Sequence, residues 1–246
     1  MLSEVFKLFW KTVEMKDARR INSQTPPTEI EQFCDIQYID DGLWQHRLDV
    51  YSKSGKLSHR PVIIDIHGGG WMYGTKEINK NYCLVLAQND YVVVNINYRL
   101  APDFSVADQL RDCFFAFKWV STNIEKYGGD LNNVFVTGDS AGGFLAAYSA
   151  LLNSSEKLRK IFGVTESGLE FRACGLTSPV CFMNTHTFQD VYYSRVKGKE
   201  FSESTLRGFE NFDAVLNKGS MPPTFLVTSS GDDVGRLPTI KIYNLL

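Results

Sequence analysis

The chain has 246 residues, of which 43% are hydrophobic, and a formal net charge of −2. This near-balanced charge argues against a nucleic-acid binder, which needs a basic face for the phosphate backbone. The hydrophobic content is too high for a disordered chain, and no apolar run approaches the length of a membrane span. These features predict a soluble globular protein with a single domain, residues 1–246.

Residues 1–30 are predicted to form an N-terminal helix and a linker. The start lacks the basic segment and long apolar run of a secretory leader. The helix is expected to pack on the body of the protein. The alternative, a helix lying on a membrane surface, is disfavoured by its mixed charges. The apolar residues that recur at helical spacing are Leu2, Val5, Phe6, Phe9, Trp10 and Val13.

The rest of the chain alternates between strand and helix patterns. Segments 35–40 and 46–52 are predicted to be two strands joined by a turn at Asp41-Gly42. The alternation predicts a mostly parallel sheet with helices on both faces. The further predicted strands are 61–66, 91–100, 132–139, 171–180 and 223–230, and the predicted helices are 78–90, 104–129, 141–154 and 236–246.

Two stretches interrupt this alternation. Residues 153–170 are polar, with mixed charge, and are predicted to form a loop or a short lid. Residues 181–221 show several aromatic residues but no strand pattern. An insertion on the ligand side of such a sheet usually covers a pocket, so this segment is predicted to be a cap.

The cysteines indicate a reducing environment. They are odd in number and contain no C-x-x-C pair, so neither a disulfide framework nor a zinc site is expected. A cytoplasmic location follows as an expectation. The five cysteines are Cys34, Cys83, Cys113, Cys174 and Cys181.

The strongest motif is G-x-S-x-G at residues 138–142, between an apolar strand and an Ala-rich helix. In this context the serine of such a motif stands on a strained turn, which requires small neighbours. Ser140 is therefore the candidate nucleophile. The amide of Ala141 begins the helix, where the backbone dipole favours an oxyanion.

A second motif, HGGG at residues 67–70, follows the predicted strand 61–66. Three glycines after a buried strand let backbone amides approach a substrate carbonyl, because no side chain blocks them. His67 is expected to hold this loop rather than to act as the base.

A candidate acid follows the last predicted strand. Asp232 comes after the nucleophile in the chain, as the order Ser…Asp…His requires. Asp233 is the alternative, and either carboxylate could instead form an exposed turn or cap the next helix.

These motifs resemble those of the α/β-hydrolase superfamily, in particular its hormone-sensitive-lipase-like carboxylesterases. The segments NYRLAP (97–102) and YGGD (127–130) extend the resemblance. It implies an α/β-hydrolase fold with N-terminal hairpin strands and a small cap. It also implies Ser140 as nucleophile, Asp232 as acid, and an oxyanion hole formed by the amides of Gly69, Gly70 and Ala141. Acetyl-xylan-esterase-like and kynurenine-formamidase-like subfamilies remain open.

The sequence departs from this family in its histidines. All four (His46, His59, His67 and His186) precede Asp232, whereas the family's catalytic histidine follows the acid after another helix and strand. The expectation is a chain truncated before its base and its last strand, with a frameshift or a cleavage of the chain as alternative causes. Residues 1–246 by themselves are then expected to be nearly inactive on esters. A further alternative is that His186, in the predicted cap, approaches Ser140.

Two functions are carried forward. The first is a serine hydrolase for small carboxylic esters with short acyl chains, which needs no cofactor because no metal or phosphate motif is present. The second is a binding protein that keeps the pocket but lacks the triad histidine. In both, the missing last strand would leave segment 223–230 as an exposed sheet edge. Such an edge predicts self-association into homo-oligomers.

Overall fold

The computed structural model describes residues 2–55, 59–183, 189–203 and 206–246. Within these residues, the strands are β1 (Ile30–Gln37), β2 (Arg47–Lys53), β3 (Arg60–Ile66), β4 (Val92–Ile96), β5 (Gly129–Asp139), β6 (Phe171–Thr177) and β7 (Thr224–Val227). They form one sheet in the order β1-β2-β4-β3-β5-β6-β7. β2 is antiparallel to both of its neighbours, and all other pairs are parallel.

The helices in the same ranges are α1 (Leu2–Asn22), α2 (Lys80–Gln88), α3 (Val106–Asn123), α4 (Ala141–Asn153), α5 (Glu156–Phe162), α6 (Gln189–Glu203), α7 (Phe212–Leu216) and α8 (Arg236–Leu245). The helices cover both faces of the sheet, as strand β4 illustrates. Its successive side chains point to opposite faces. Val92 and Val94 join the core formed with α3 and α4, whereas Val93 packs with Leu84 of α2. The predicted parallel sheet with helices on both faces is confirmed. None of the described helices combines the length and apolarity needed to cross a bilayer.

Helix α1 packs on the body as predicted. The Trp10 ring stacks on Tyr73 with 5.4 Å between centroids, and Phe6 meets Tyr192 edge-on at 5.1 Å. Phe9 was expected on the packing face, but it is 56% exposed. That part of the prediction is wrong, because the face of α1 that meets the body is narrower than the apolar pattern suggested.

The N-terminal hairpin is antiparallel as predicted, but its loop is longer than the turn predicted at Asp41. Residues 38–46 connect the two strands. The pairing shifts near Asp35, whose amide donates to Asp49 Oδ1 at 2.7 Å. Nδ1 of His46 lies 2.7 Å from the Asp41 carboxylate. Polar contacts therefore shape this loop, which an Asp-Gly pair alone did not reveal.

The polar stretch 153–170, predicted to form a loop or a short lid, contains helix α5, so the loop alternative is wrong there. Ser155 caps the helix by accepting the Leu158 amide, and Leu158 and Phe162 are fully buried. A short helix needs few apolar residues to dock. These two buried residues stand among mixed charges, and the helical pattern is correspondingly weak.

The predicted cap, 181–221, contains helices α6 and α7 and a single bridge between Phe182 and Asn211. Two of its aromatic residues, Phe201 and Phe212, are at most 1% exposed and belong to the core. Tyr192 differs, because its hydroxyl donates to the carbonyl of Gly70. His186 lies outside the described residues.

Candidate active site

Ser140 stands on a strained turn between β5 and α4. Its backbone has φ 51° and ψ −113°, and its amide donates to the Thr177 carbonyl at 2.9 Å. The small neighbours are required sterically. A Cβ at Gly138 would lie 2.4 Å from the Gly142 carbonyl oxygen, and one at Gly142 would lie 1.9 Å from that of Ile66. The strand–turn–helix expected of a nucleophile elbow is therefore present at this position.

The glycine loop follows β3 and folds beside Ser140. Gly69 has φ 111°, and a Cβ there would lie 2.0 Å from the Tyr73 carbonyl oxygen. Gly70 also has a positive φ, of 57°. Among the described residues, neither glycine amide donates to a protein acceptor. The Ala141 amide lies in the first turn of α4, where intrahelical acceptors are lacking. These amides are thus free to bind an oxyanion.

The structure brings Ser140, Gly69 and Gly70 to the wall of one cavity of about 320 Å³. Helix α1 forms the opposite wall through Trp10 and Arg20, among others. Sequence reasoning missed this contribution of α1. Helical spacing revealed an apolar face but not which part of the body that face would cover.

Asp232 lies beyond β7, at the same carboxyl edge of the sheet as Ser140, but it does not line this cavity. Its Oδ1 accepts the amides of Gly235 at 2.8 Å and Val234 at 3.0 Å. The Gly235 amide and the hydroxyl of Ser178 are the main causes that lower the pKa of Asp232. The carboxylate is therefore held ionised in the turn that precedes α8. The alternative acid, Asp233, is exposed.

A buried polar chain supports the glycine loop from behind. Asn79 Nδ2 donates to Asp65 at 3.0 Å and to Asp139 at 2.9 Å, and the Asp139 carboxylate also accepts the Gly68 amide at 3.0 Å. Burial raises the pKa of both carboxyls, that of Asp65 to about 7. Sequence reasoning missed this chain, although a carboxylate inside the apolar run of β3 was a visible signal.

None of the three described histidines lines the Ser140 cavity. His67 is fully buried; its Nδ1 lies 2.7 Å from the Gly68 carbonyl, and burial lowers its pKa to about 4. His46 lies between the carboxylates of Asp41 and Asp112. His59 precedes β3, at the opposite edge of the sheet from Ser140. Each is therefore poorly placed to take a proton from the serine.

Comparison with known proteins agrees with this geometry. The BD-FAE family matches residues 48–193. The crystal structure of esterase B from Lactobacillus rhamnosis, inhibited by a tributyrin phosphonate, superposes with a TM-score of 0.92 at 30% identity. That superposition covers 100% of this chain and 79% of the esterase.

Two curated relatives are also similar. The isoprenylcysteine alpha-carbonyl methylesterase of Arabidopsis thaliana is 28% identical over 198 residues, which is 76% of this chain and 46% of that protein. The versiconal hemiacetal acetate esterase of Dothistroma septosporum is 36% identical over 112 residues, 45% of this chain and 33% of that protein. The matches thus span half or less of these relatives. The chain belongs to the BD-FAE family, within the hormone-sensitive-lipase-like group of α/β-hydrolases.

Proposed function

We propose that the protein is a serine hydrolase that cleaves small carboxylic esters. The observation that carries the proposal is the position of Ser140, on a strained turn and in the wall of a cavity that Gly69 and Gly70 also line. Residues in sparsely populated backbone regions cost about 1–3 kcal/mol and persist where function requires them. The names of the relatives, esterases and a methylesterase, support the same reaction class.

In the proposed mechanism, the Ser140 oxygen attacks the ester carbonyl while its proton passes to a base. The amides of Gly69, Gly70 and Ala141 bind the oxygen that becomes negative, and each such donor is worth about 10²–10³ in rate. The base then protonates the leaving alcohol. Water hydrolyses the acyl-enzyme to release the acid and restore the serine.

Asp232 is proposed to orient the base, because its lowered pKa keeps it ionised at neutral pH. The base itself is proposed to lie outside the described residues, since His46, His59 and His67 are occupied or remote. A histidine held by a carboxylate would complete the usual triad.

The proposed substrates carry short acyl chains. The cavity at Ser140 is small, about 320 Å³, and the rings of Trp10 and Tyr73 line it. The phosphonate in the esterase B structure derives from tributyrin, which is consistent with this size class in that relative. A cytoplasmic location is also proposed, because all five cysteines are free and four of them are buried.

The second candidate is a binding protein that has lost catalysis. It is favoured by one observation, that none of the three described histidines lines the Ser140 cavity. It is disfavoured by the strain kept at Ser140, which binding alone does not need, and by the esterase relatives.

Hydrolysis of p-nitrophenyl butyrate by the wild type and by Ser140→Ala tests the proposal. Any wild-type turnover should be lost in Ser140→Ala and kept in Ser149→Ala, a buried serine of α4 away from the cavity. Wild-type turnover that persists in Ser140→Ala would contradict it. His186→Ala, measured in parallel, decides whether the base lies within residues 184–188 or elsewhere outside the described part.

A further inference from the structure

A second cavity lies beside the one that contains Ser140. It measures about 280 Å³ and lies between α1, the loop after the glycines, and residues 101–102. Its walls are largely apolar, so it suits an aliphatic chain better than a polar group. We call it the apolar chamber. The apolar side chains that line it are Phe6, Trp10, Met72, Tyr73, Ala101 and Pro102.

Trp10 and Tyr73 line both cavities. Their rings stack at an interplanar angle of 14°, with 5.4 Å between centroids. Two side chains that face both spaces and stack on each other form a partition between them. The Tyr73 hydroxyl also donates to Asp17 of α1, at 3.4 Å, which holds the partition from the other side.

The partition stands beside the reacting position. A Cβ built on Gly70 would lie 2.3 Å from the Trp10 ring, so this ring lies directly against the glycine loop. A substrate chain that leaves the Ser140 cavity in this direction must therefore meet Trp10. A substrate chain too long for the Ser140 cavity would need the apolar chamber, and the Trp10 ring separates the two spaces.

We propose that the Trp10–Tyr73 pair sets the chain-length limit of the Ser140 site, and that the apolar chamber is a subsite for aliphatic chains that removal of the Trp10 ring opens. The inference rests on the proposed ester hydrolase function. Each further buried methylene strengthens binding about fourfold. Joining the two cavities should therefore favour long chains over short ones.

The binding of two methyl ketones, 2-hexanone and 2-decanone, tests the inference without needing turnover. Both carry a carbonyl that cannot be hydrolysed, and calorimetry on the 246-residue chain gives the ratio of their dissociation constants. We expect Trp10→Ala to shift this ratio at least tenfold towards 2-decanone. Leu8→Ala is the matched control, because Leu8 lies on the same helix and is 69% exposed. Nonspecific binding of the ketones to other apolar surfaces is the same in Leu8→Ala, and this variant should leave the ratio unchanged.

Two more variants guard against loosening of α1. Tyr73→Ala removes the other ring of the partition without substituting any residue of α1. It should therefore shift the ratio in the same direction. Trp10→Phe keeps a ring and should restore most of the wild-type preference. A ratio unchanged in both Trp10→Ala and Tyr73→Ala would overturn the inference.

Hydrolysis of p-nitrophenyl butyrate and octanoate separates this inference from the proposed function. A gain in relative kcat/KM for octanoate in Trp10→Ala supports the inference. Hydrolysis with an unchanged preference overturns it while leaving the ester hydrolase proposal intact. If neither ester is hydrolysed, the ketone ratio alone decides whether the two cavities join.

Discussion

The carboxylate of Asp139 accepts the Gly68 amide at 3.0 Å, which ties the residue before Ser140 to the loop that carries Gly69 and Gly70. The residues next to the candidate nucleophile and the candidate oxyanion hole are thus joined by one partly buried hydrogen bond. Asn79 holds the same carboxylate and connects it to Asp65. The polar chain behind the site therefore positions both halves of it.

Asn79→Ala should destabilise the protein and disturb the glycine loop. It removes one donor from each of the carboxyls of Asp65 and Asp139, although Asp139 keeps the Gly68 amide. Loss of a partner by a buried polar group costs about 1–3 kcal/mol. Urea unfolding measures this loss in the free energy of unfolding. Asn89→Ala is the control, because Asn89 is exposed and its side chain donates to the Val85 carbonyl of its own helix and to no other residue in the described part of the chain. Equal stability of the two variants would show that the polar chain is not structurally important.

The free energy of unfolding of Asp65→Asn should increase relative to that of the wild type as the pH rises from 5 to 7. The pKa of Asp65 is about 7 in the folded protein and about 4 in the unfolded chain. Between these values only the folded state keeps the proton, so deprotonation progressively favours unfolding of the wild type. The change is at most about 1.4 kcal/mol per pH unit.

Urea unfolding of both proteins at several pH values measures this difference. His67, with its pKa of about 4, makes the free energy of unfolding rise between about pH 4 and 6.5, which is the opposite trend. Because both proteins contain His67, its contribution cancels in the comparison. A stability difference that stays constant between pH 5 and 7 would contradict the raised pKa of Asp65.

The strained backbone at Ser140 should make the glycine variant more stable than the alanine variant, which is the reverse of the usual order. With φ at 51° and ψ at −113°, Ser140→Gly relieves a conformation that Ser140→Ala retains, so the glycine variant should be more stable by about 1 kcal/mol. Ser149 lies inside helix α4, where glycine should instead be less stable than alanine by about the same amount. Thermal or urea unfolding of these four variants gives both differences. Glycine less stable than alanine at both positions would argue against the strained turn.

The edge strand β7 should drive self-association of the 246-residue chain. Among the described strands it pairs only with β6, and Phe225 is 72% exposed beside a groove lined by Ile63 and Phe135. An exposed apolar edge favours pairing with another chain. Sedimentation velocity should show association that rises with concentration and weakens in Phe225→Lys. Phe9→Lys, at a comparably exposed phenylalanine of α1, should have little effect. A wild type that stays monomeric throughout would contradict this prediction.

The sequence predicted those features that depend on neighbours along the chain. Steric limits around Ser140 act through Gly138 and Gly142, so the turn was visible as a local pattern. The helical segment after α3 likewise ends at a glycine in a left-handed conformation, Gly128 with φ 84°. In both cases a small residue is needed where backbone conformation or close contact demands it.

Features that depend on distant packing were missed. Asn79 joins Asp65 and Asp139 only once β3, β5 and the start of α2 are assembled. Trp10 reaches Gly70 only because α1 docks over the glycine loop. Periodicity reveals that a helix has an apolar face, but the surface that this face covers is decided by tertiary structure.

The central claim, that Ser140 is the nucleophile of an ester hydrolase, is tested most directly by mapping the site of covalent modification. The protein is treated with a fluorophosphonate, digested, and analysed by mass spectrometry of the peptide that contains residues 138–142. The account predicts a single adduct on Ser140, present in wild type and Ser149→Ala and absent from Ser140→Ala. An adduct on another serine, or ester hydrolysis that persists in Ser140→Ala, would contradict it.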